Sequence, residues 1–290
     1  MLCRGALRTI LVGLFAAALA CGRADSGAHV DSSMDTTRAP AAPPRVTSEW
    51  NAELGTLLVV PSDSDNSAVV LYPTGDDAAT GSEAVTLVNG GGDTVRATLT
   101  HTDSVECGDV PMARLAAVPA GTWSIGMGRH PAPLVHVDSI ESLPSADSSR
   151  LAADIARLAS ALPMPRNSRF GGLPFAVVSA RRFTLDGRQY VAAHLARRLN
   201  QEAQPLEERT FILAERADSS TNSRLAVAYS QRSEGTEDTA EHFDLLAVLK
   251  GKRSPLLLIS RDQLSQTRYD LLERQDDGTW RVRWSRTLSC

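Results

Sequence analysis

The chain has 290 residues, of which 42% are hydrophobic and 22% are charged. This composition supplies enough apolar surface for one sizeable core or two small ones, and it excludes a wholly disordered protein. The formal net charge is −4, with both signs interspersed along the chain, so the sequence lacks the basic patch that a nucleic-acid-binding protein needs.

The first residues have the features of an export signal. Arg4 and Arg8 precede an apolar run over 10–20, which ends in Ala-Leu-Ala just before Cys21. This run is about half the roughly 20 residues that a membrane-spanning helix needs, so it indicates a secretory signal rather than a permanent membrane helix. The Ala-Leu-Ala sequence is a site for ordinary signal cleavage, which would release a soluble secreted protein.

A small residue followed by Cys21 also resembles the lipobox of bacterial lipoprotein precursors. In that family the cysteine becomes the lipidated first residue of the mature protein. The resemblance therefore implies a signal peptide over 1–20, a lipid on Cys21 and anchoring to a membrane of the cell envelope. Gly22 follows the cysteine where an Asp could stand, which by the same resemblance favours the outer membrane, facing the periplasm or the cell surface.

Residues 21–48 are predicted to form a disordered tether. They are rich in Ser, Thr, Asp, Ala and Pro and contain hardly a large apolar residue, so they cannot bury enough surface to fold. A flexible chain of this length has a root-mean-square reach on the order of 30 Å. The folded part would therefore stand clear of a membrane surface.

The cysteine count bears on a disulfide. The chain has four cysteines, of which Cys3 leaves with the signal. If Cys21 carries lipid, Cys107 and Cys290 remain as a pair in an oxidising compartment. We expect a disulfide between these two residues, and the alternative is a pair of unrelated thiols.

Residues 49–140 are predicted to form a smaller N-terminal β region. Within it, Val95, Ala97 and Leu99 alternate with polar residues, which is the period of a half-buried strand. Glycine and proline turn signals separate the predicted strands, at 56–60, 68–72, 84–88, 94–100, 113–118 and 123–127.

Residues 141–168 are predicted to form a helical connector. Four large aliphatic residues recur there at helical spacing: Leu151, Ile155, Leu158 and Leu162. Pro163 prevents continuation, so the pattern predicts an amphipathic helix over 147–162 whose opposite side carries Arg150 and Asp154. We expect this helix to pack across a sheet or between two β units, and the alternative is a partner-binding or membrane-surface helix.

Residues 169–290 are predicted to form a C-terminal antiparallel β region. Asp186-Gly187 and Asp277-Gly278 are hairpin signals. The predicted strands are 175–185, 189–199, 210–215, 224–230, 242–249, 256–260, 268–274 and 279–287. The fold class is therefore mainly β, with these strands in a curled sheet or an up-and-down barrel-like region. The alternative is a degenerate β-propeller that includes the first region, although the sequence shows no clear repeat.

The last predicted strand offers a candidate binding face. Trp280 and Trp284 alternate with Arg281 and Arg283. This pattern allows an aromatic platform for a glycan or an arginine face for a polyanion. The simpler interpretation is a strand with a core side and a water side.

Two groups of polar residues are candidate ligand or metal sites. The first contains His101, Asp103 and Glu106 and runs on to Cys107 and Asp109, so it offers nitrogen, oxygen and sulfur donors close together. The second contains His130, His136 and Asp138. The alternative is a solvated turn for the first group and ordinary surface or strand positions for the second.

The sequence contains no Gly-x-Ser-x-Gly, His-Glu-x-x-His, phosphate-loop or Cys-x-x-Cys motif. We therefore expect no cofactor and no dedicated metal site. Two function classes remain. The first is a non-enzymatic envelope lipoprotein that binds a partner protein, a glycan or a small ligand. The second is a lipid-anchored hydrolase or metal-dependent enzyme whose site is assembled only in the fold.

Overall fold

The computed structural model describes residues 54–61, 66–72, 82–106, 110–116, 122–128, 133–200, 205–216 and 224–289. These residues form fifteen antiparallel strands, one α-helix and a short 3-10 helix. The predicted mainly β class with one helix is confirmed. The predicted signal peptide, Cys21, the tether, His130, Cys107 and Cys290 lie outside the described residues.

The first six strands close into a barrel in the order β1-β2-β5-β4-β3-β6. Their bounds are β1 Leu57–Val59, β2 Ser67–Tyr72, β3 Ser82–Val88, β4 Thr94–Glu106, β5 Val110–Ala116 and β6 Ile125–Met127. Alternation in β4 puts Ala97 and Leu99 into the barrel interior, as the sequence pattern predicts. At Gly126 a Cβ atom would lie 2.6 Å from Leu58 Cδ1, so only glycine fits there.

The strands of the C-terminal half form two open antiparallel sheets. A five-stranded sheet has the order β11-β10-β9-β8-β7, and a four-stranded sheet has the order β12-β13-β14-β15. Their bounds are β7 Asp138–Ser139, β8 Ala176–Leu185, β9 Arg188–Leu199, β10 Leu206–Arg216, β11 Leu225–Gly235, β12 His242–Lys250, β13 Pro255–Gln263, β14 Gln266–Arg274 and β15 Trp280–Ser289. The predicted hairpin at Asp186-Gly187 is confirmed, because both residues have positive φ and Leu185 pairs with Arg188.

Three apolar interfaces hold the layers together. The two sheets pack face to face around Phe183, Phe211 and Phe243. The outer face of the four-stranded sheet packs on the barrel, where Leu258 and Leu271 contact residues such as Leu57. The helix covers the outer face of the five-stranded sheet.

The helix α1 spans Ser145–Ser160, two residues before the predicted bounds at each end. Ile155 and Ala159 are buried against the apolar face of β9, which supplies Ala193 and Leu195. The expectation of a helix packed across a sheet is therefore confirmed. Within the described part of the chain, no helix is long and apolar enough to span a membrane.

The two tryptophans of β15 do not form a common surface. Both are buried, Trp280 between the two sheets and Trp284 between the four-stranded sheet and the barrel. The pairing of β14 with β15 shifts register at Leu271/Leu272, and such a bulge turns the residues on either side of it to opposite faces. The hypothesis of an exposed aromatic platform is therefore wrong. Its arginines pair locally, Arg283 with Glu273 at 2.8 Å and Arg281 with Asp277 at 4.0 Å.

Candidate functional site

A cavity of about 630 Å³ lies between the N-terminal half of α1 and the five-stranded sheet. We call it the helix–sheet cleft. Its floor consists of the polar side chains Arg182, Thr184, Gln189 and Arg216, together with Val191. Its wall on the helix side consists of Asp147, Arg150, Leu151 and Asp154, and its rim contains His136, Asp138, Leu143 and Leu225.

Strand register explains why the floor is polar. Thr184 pairs with Gln189, and Gln189 pairs with Arg216, so three neighbouring strands place polar side chains in one row. Residues at every second position of a strand share a face, and farther along β9 that face carries the apolar Ala193 and Leu195, which α1 covers. The cleft is therefore the end of the sheet face that the helix does not seal.

Asp138 organises the rim of the cleft. Its Oδ1 lies 3.0 Å from His136 Nε2, and its Oδ2 lies 3.3 Å from Arg182 Nη2. The imidazole of His136 is largely exposed, so it faces the opening and is held from one side only. Asp138 contacts Arg182 at Nη2, so this carboxylate leaves most of the five N–H donors of the guanidinium unused.

Arg216 is the charged residue of the floor with the weakest described polar contacts. The side chain is half-buried, and its one hydrogen bond to a described residue runs from Nη1 to the neutral Gln189 Oε1 at 3.4 Å. Its Nε is buried without a hydrogen-bond partner in the described structure. Among the residues that the structure describes, no carboxylate lies within 4.0 Å of its guanidinium. The described residues thus compensate the charge of Arg216 poorly.

The opposite end of the same sheet face is sealed. Arg197 Nη2 donates to both carboxylate oxygens of Glu208, at 2.8 and 3.1 Å, and Arg232 Nε lies 3.1 Å from the same carboxylate. The Arg197 guanidinium also lies 4.4 Å from the centre of the Phe175 ring. Arg197 and Glu208 are both almost completely buried. This cluster holds the structure together and has no access to a ligand.

Between the two sheets lies another buried polar side chain, His194. It is 1% exposed, and neither ring nitrogen has a hydrogen-bond partner in the described structure. Its ring contacts that of His242, with centroids 4.4 Å apart. Burial, assisted by the charges of His242 and Arg209, lowers the pKa of His194 to about 3, so the imidazole is neutral at physiological pH.

The cleft can bind and orient a molecule. The pair of His136 and Asp138 is an imidazole oriented by a carboxylate, as in many general bases. The described residues that line the cleft include Thr184 but no serine or cysteine. Over the described ranges, no group of three or more His, Cys, Asp or Glu residues is arranged to hold a metal ion. The geometry favours binding over nucleophilic catalysis.

The structure brings together two of the residues singled out from the sequence, His136 and Asp138. His101 lies elsewhere, in barrel strand β4 opposite Ala113, and its two ring nitrogens are buried without a hydrogen-bond partner among the described residues. Asp103 and Glu106 belong to the same strand, but their side chains are outside the described set, as are Cys107 and Asp109. A site formed by His101, Asp103 and Glu106 therefore stays a prediction.

Sequence reasoning missed the floor and the helix wall. It assigned Arg150 and Asp154 to the solvent side of α1, whereas both line the cleft. A signal was present in the hairpin, since Arg182, Thr184 and Gln189 are polar on the face that continues as apolar Ala193. The point where a strand face changes from apolar to polar residues indicates where the element packed on that face ends.

No protein family model matches this chain, and comparisons with curated proteins and with solved structures find no match either. The function is therefore argued from the geometry of the cleft.

Proposed function

We propose that this protein is a non-enzymatic binding module of the cell envelope, which captures a small molecule in the helix–sheet cleft. The observation that carries the proposal is a cavity of about 630 Å³ that combines apolar walls with converging polar groups. Small-molecule sites typically measure about 300–1,000 Å³ and combine these two kinds of lining. The apolar share comes from Leu143, Leu151, Val191 and Leu225, and the polar share from the floor and rim.

The proposed location rests on the N-terminal sequence. Cys21, in its lipobox-like setting, would carry the lipid, and residues 21–48 would tether the folded part to the membrane. Two or more acyl chains are needed for stable anchoring, since each buried methylene contributes about 0.8 kcal/mol. A tether of this length lets the cleft face the periplasm or the exterior, where it can meet diffusing ligands.

A ligand-observed NMR screen of small fragments tests the binding function. We expect fragments to bind the wild-type protein and to lose binding in Leu151→Trp, because the larger side chain projects into the cleft. Leu264→Trp is the matched control, since Leu264 is 82% exposed and does not line the cleft. Fragments that bind wild type and Leu151→Trp equally, or no binding at all, would contradict the proposal.

Intact-mass spectrometry of the protein purified from membranes tests the anchor. We expect a mature chain that begins at Cys21 and carries added acyl mass. Cys21→Ser should move the protein from the membrane fraction to the soluble fraction. A mature chain that begins at Cys21 without acyl mass would refute lipid anchoring and favour the soluble secreted form.

The His136–Asp138 pair favours a second candidate, a hydrolase in which His136 activates a water molecule as the nucleophile. Turnover of 4-nitrophenyl acetate and 4-nitrophenyl phosphate tests it. Activity that is lost in His136→Ala and kept in the exposed-helix variant Arg157→Gln would support the hydrolase. Activity at the level of buffer alone would leave binding as the function.

A further inference from the structure

We infer that the ligand of the helix–sheet cleft is a small organic monoanion, with its anionic group bound by Arg216 and Arg182 and its apolar body against Leu151, Val191 and Leu225. This inference rests on the proposed binding function and names the class of ligand. The anionic group is a carboxylate or a phosphate diester, both of which are monoanions at neutral pH and complementary to a guanidinium.

The first argument is the state of Arg216. A half-buried guanidinium has lost part of its hydration, and the one hydrogen bond that Arg216 makes to a described residue, Gln189 at 3.4 Å, is long for a charged donor. Arginine cannot give up its proton to relieve this cost. An anion in the cleft would supply the missing partner.

The second argument is that the other arginines of β9 and β10 are paired with carboxylates. In β9 and β10, each of the other arginines has a glutamate partner: Arg188 with Glu215, Arg197 with Glu208, and Arg198 and Arg209 with Glu207. Within the described residues, Arg216 is the exception in these two strands, and it is also the one that lines the cleft. Among the described arginines of these two strands, the one without a carboxylate partner is therefore the one that lines the cleft.

The third argument is that a second guanidinium faces the same space. Arg182 and Arg216 project from β8 and β10, the two neighbours of β9, and strands so placed are about 10 Å apart. Two side chains as long as arginine can both reach one anionic group that lies between them. Arg182 retains free donors because Asp138 takes only Nη2.

The carboxylates of the cleft limit the charge of the ligand. Asp138 is engaged with His136 and Arg182, and Asp154 with Arg157 at 2.7 Å, while Asp147 on the helix wall has no ion-pair partner among the described side chains. These negative charges repel a polyanion such as a nucleotide. A monoanion with an apolar body fits both the charge and the lining.

Fluorine NMR titration with matched acid and amide pairs tests the inference. The probes are 4-fluorobenzoate, 4-fluorobenzamide and the phosphate diester methyl 4-fluorophenyl phosphate, followed by 6-fluoro-2-naphthoate and its amide. We expect the acids to bind at least 10-fold more tightly than the amides. Arg216→Gln and Arg182→Gln should each weaken acid binding about 10- to 100-fold, as the loss of a charge-assisted hydrogen bond does, and leave amide binding unchanged.

Arg166→Gln is the control, because it removes a positive charge at an exposed side chain that does not line the cleft and makes no ion pair with a described cleft residue. It should bind the acids like wild type. Whichever of the benzoate and the phosphate diester binds more tightly identifies the anionic group.

The outcomes separate this inference from the proposed function. Acid and amide binding equally in the cleft of the wild-type protein would overturn the anion inference and leave the binding function standing. No binding of any probe or fragment would overturn both. The acid–amide comparison uses wild-type protein, so it decides the matter even if an arginine variant fails to fold.

Discussion

Each end of the helix-covered face of the five-stranded sheet contains an arginine, and the two arginines differ in burial and in their partners. At the sealed end, Arg197 is 3% exposed and has a bidentate bond to Glu208 beneath Phe175. At the open end, Arg216 has one long bond to a neutral amide and borders a cavity. The same residue type on the same sheet is thus part of the core at one end and part of a candidate site at the other.

This difference follows from the chemistry of the side chain. An arginine remains charged at any physiological pH, so burying it requires an anion. The chain supplies that anion at Arg197. Where the described residues supply none, as at Arg216, the side chain borders a cavity from which a partner can reach it.

His194 is a third buried polar side chain, and it avoids a buried charge by staying neutral. It is as deeply buried as Arg197 and has no hydrogen-bond partner in the described structure, but an imidazole can lose its proton. Its pKa is accordingly lowered to about 3. The three residues differ in how their charge is balanced: Arg197 is paired within the fold, Arg216 has no carboxylate partner among the described residues, and His194 is kept neutral.

The largest predicted effect is at the sealed end. Glu208→Leu leaves Arg197 and Arg232 without their shared carboxylate, and removing one partner of a buried ion pair costs about 3–5 kcal/mol. Urea unfolding should show this loss in the free energy of unfolding.

Glu234→Gln is the control, because Glu234 pairs in register with Glu208 on the neighbouring strand but is exposed. It should change stability by less than about 0.5 kcal/mol. The double variant Arg197→Met/Glu208→Leu should recover part of the loss, since it also removes one of the stranded charges. Equal stability of Glu208→Leu and wild type would show that the sealed cluster does not stabilise the fold.

The next effect is a dependence on pH. The pKa of His194 is about 3 in the folded protein and 6.5 as a free side chain, so the unfolded chain takes up the proton first. Its contribution to stability is complete above pH 6.5 and is lost as the pH falls towards 3, at about 1.4 kcal/mol per pH unit. Between pH 6.5 and 4.5 wild type should therefore lose about 2–3 kcal/mol more than His194→Leu, which has no group to titrate.

Chemical denaturation of both proteins across this pH range measures the difference. Neighbouring groups are the same in the two proteins: His242 and Arg209, which lower the pKa of His194, and Glu207, which raises it. If the free energy of unfolding changes with pH equally in wild type and in His194→Leu, His194 is protonated, or hydrated, in the folded state.

Local pattern predicted much of the fold. Alternation in β4, the Asp186-Gly187 hairpin and the aliphatic stripe of α1 all depend on neighbours within a few residues, and all are confirmed. The burial of Trp280 and Trp284 on opposite faces was not predictable from alternation, because the register shift arises from pairing with β14.

The cleft was less predictable than the fold. Its rim residues His136 and Asp138 were selected as candidates, but its floor joins Arg182 to Arg216 across three strands, and its wall comes from α1. Such long-range contacts are set by how far the helix covers the sheet. How far the helix covers the sheet depends on tertiary packing, and the sequence pattern of the strands indicates it only weakly.

The smallest predicted effect on stability is at Arg216. Arg216→Gln removes a charge that the described structure does not compensate and leaves Gln189 with a neutral neighbour. The free energy of unfolding should therefore change by less than about 1 kcal/mol, in contrast to the loss at Glu208. Urea unfolding without ligand checks this, and a loss above about 2 kcal/mol would place Arg216 among the structural arginines with Arg197. A stable Arg216→Gln that no longer binds anions would instead show that this guanidinium is retained for the ligand, because a residue that contributes little to folding and much to binding has its partner outside the chain.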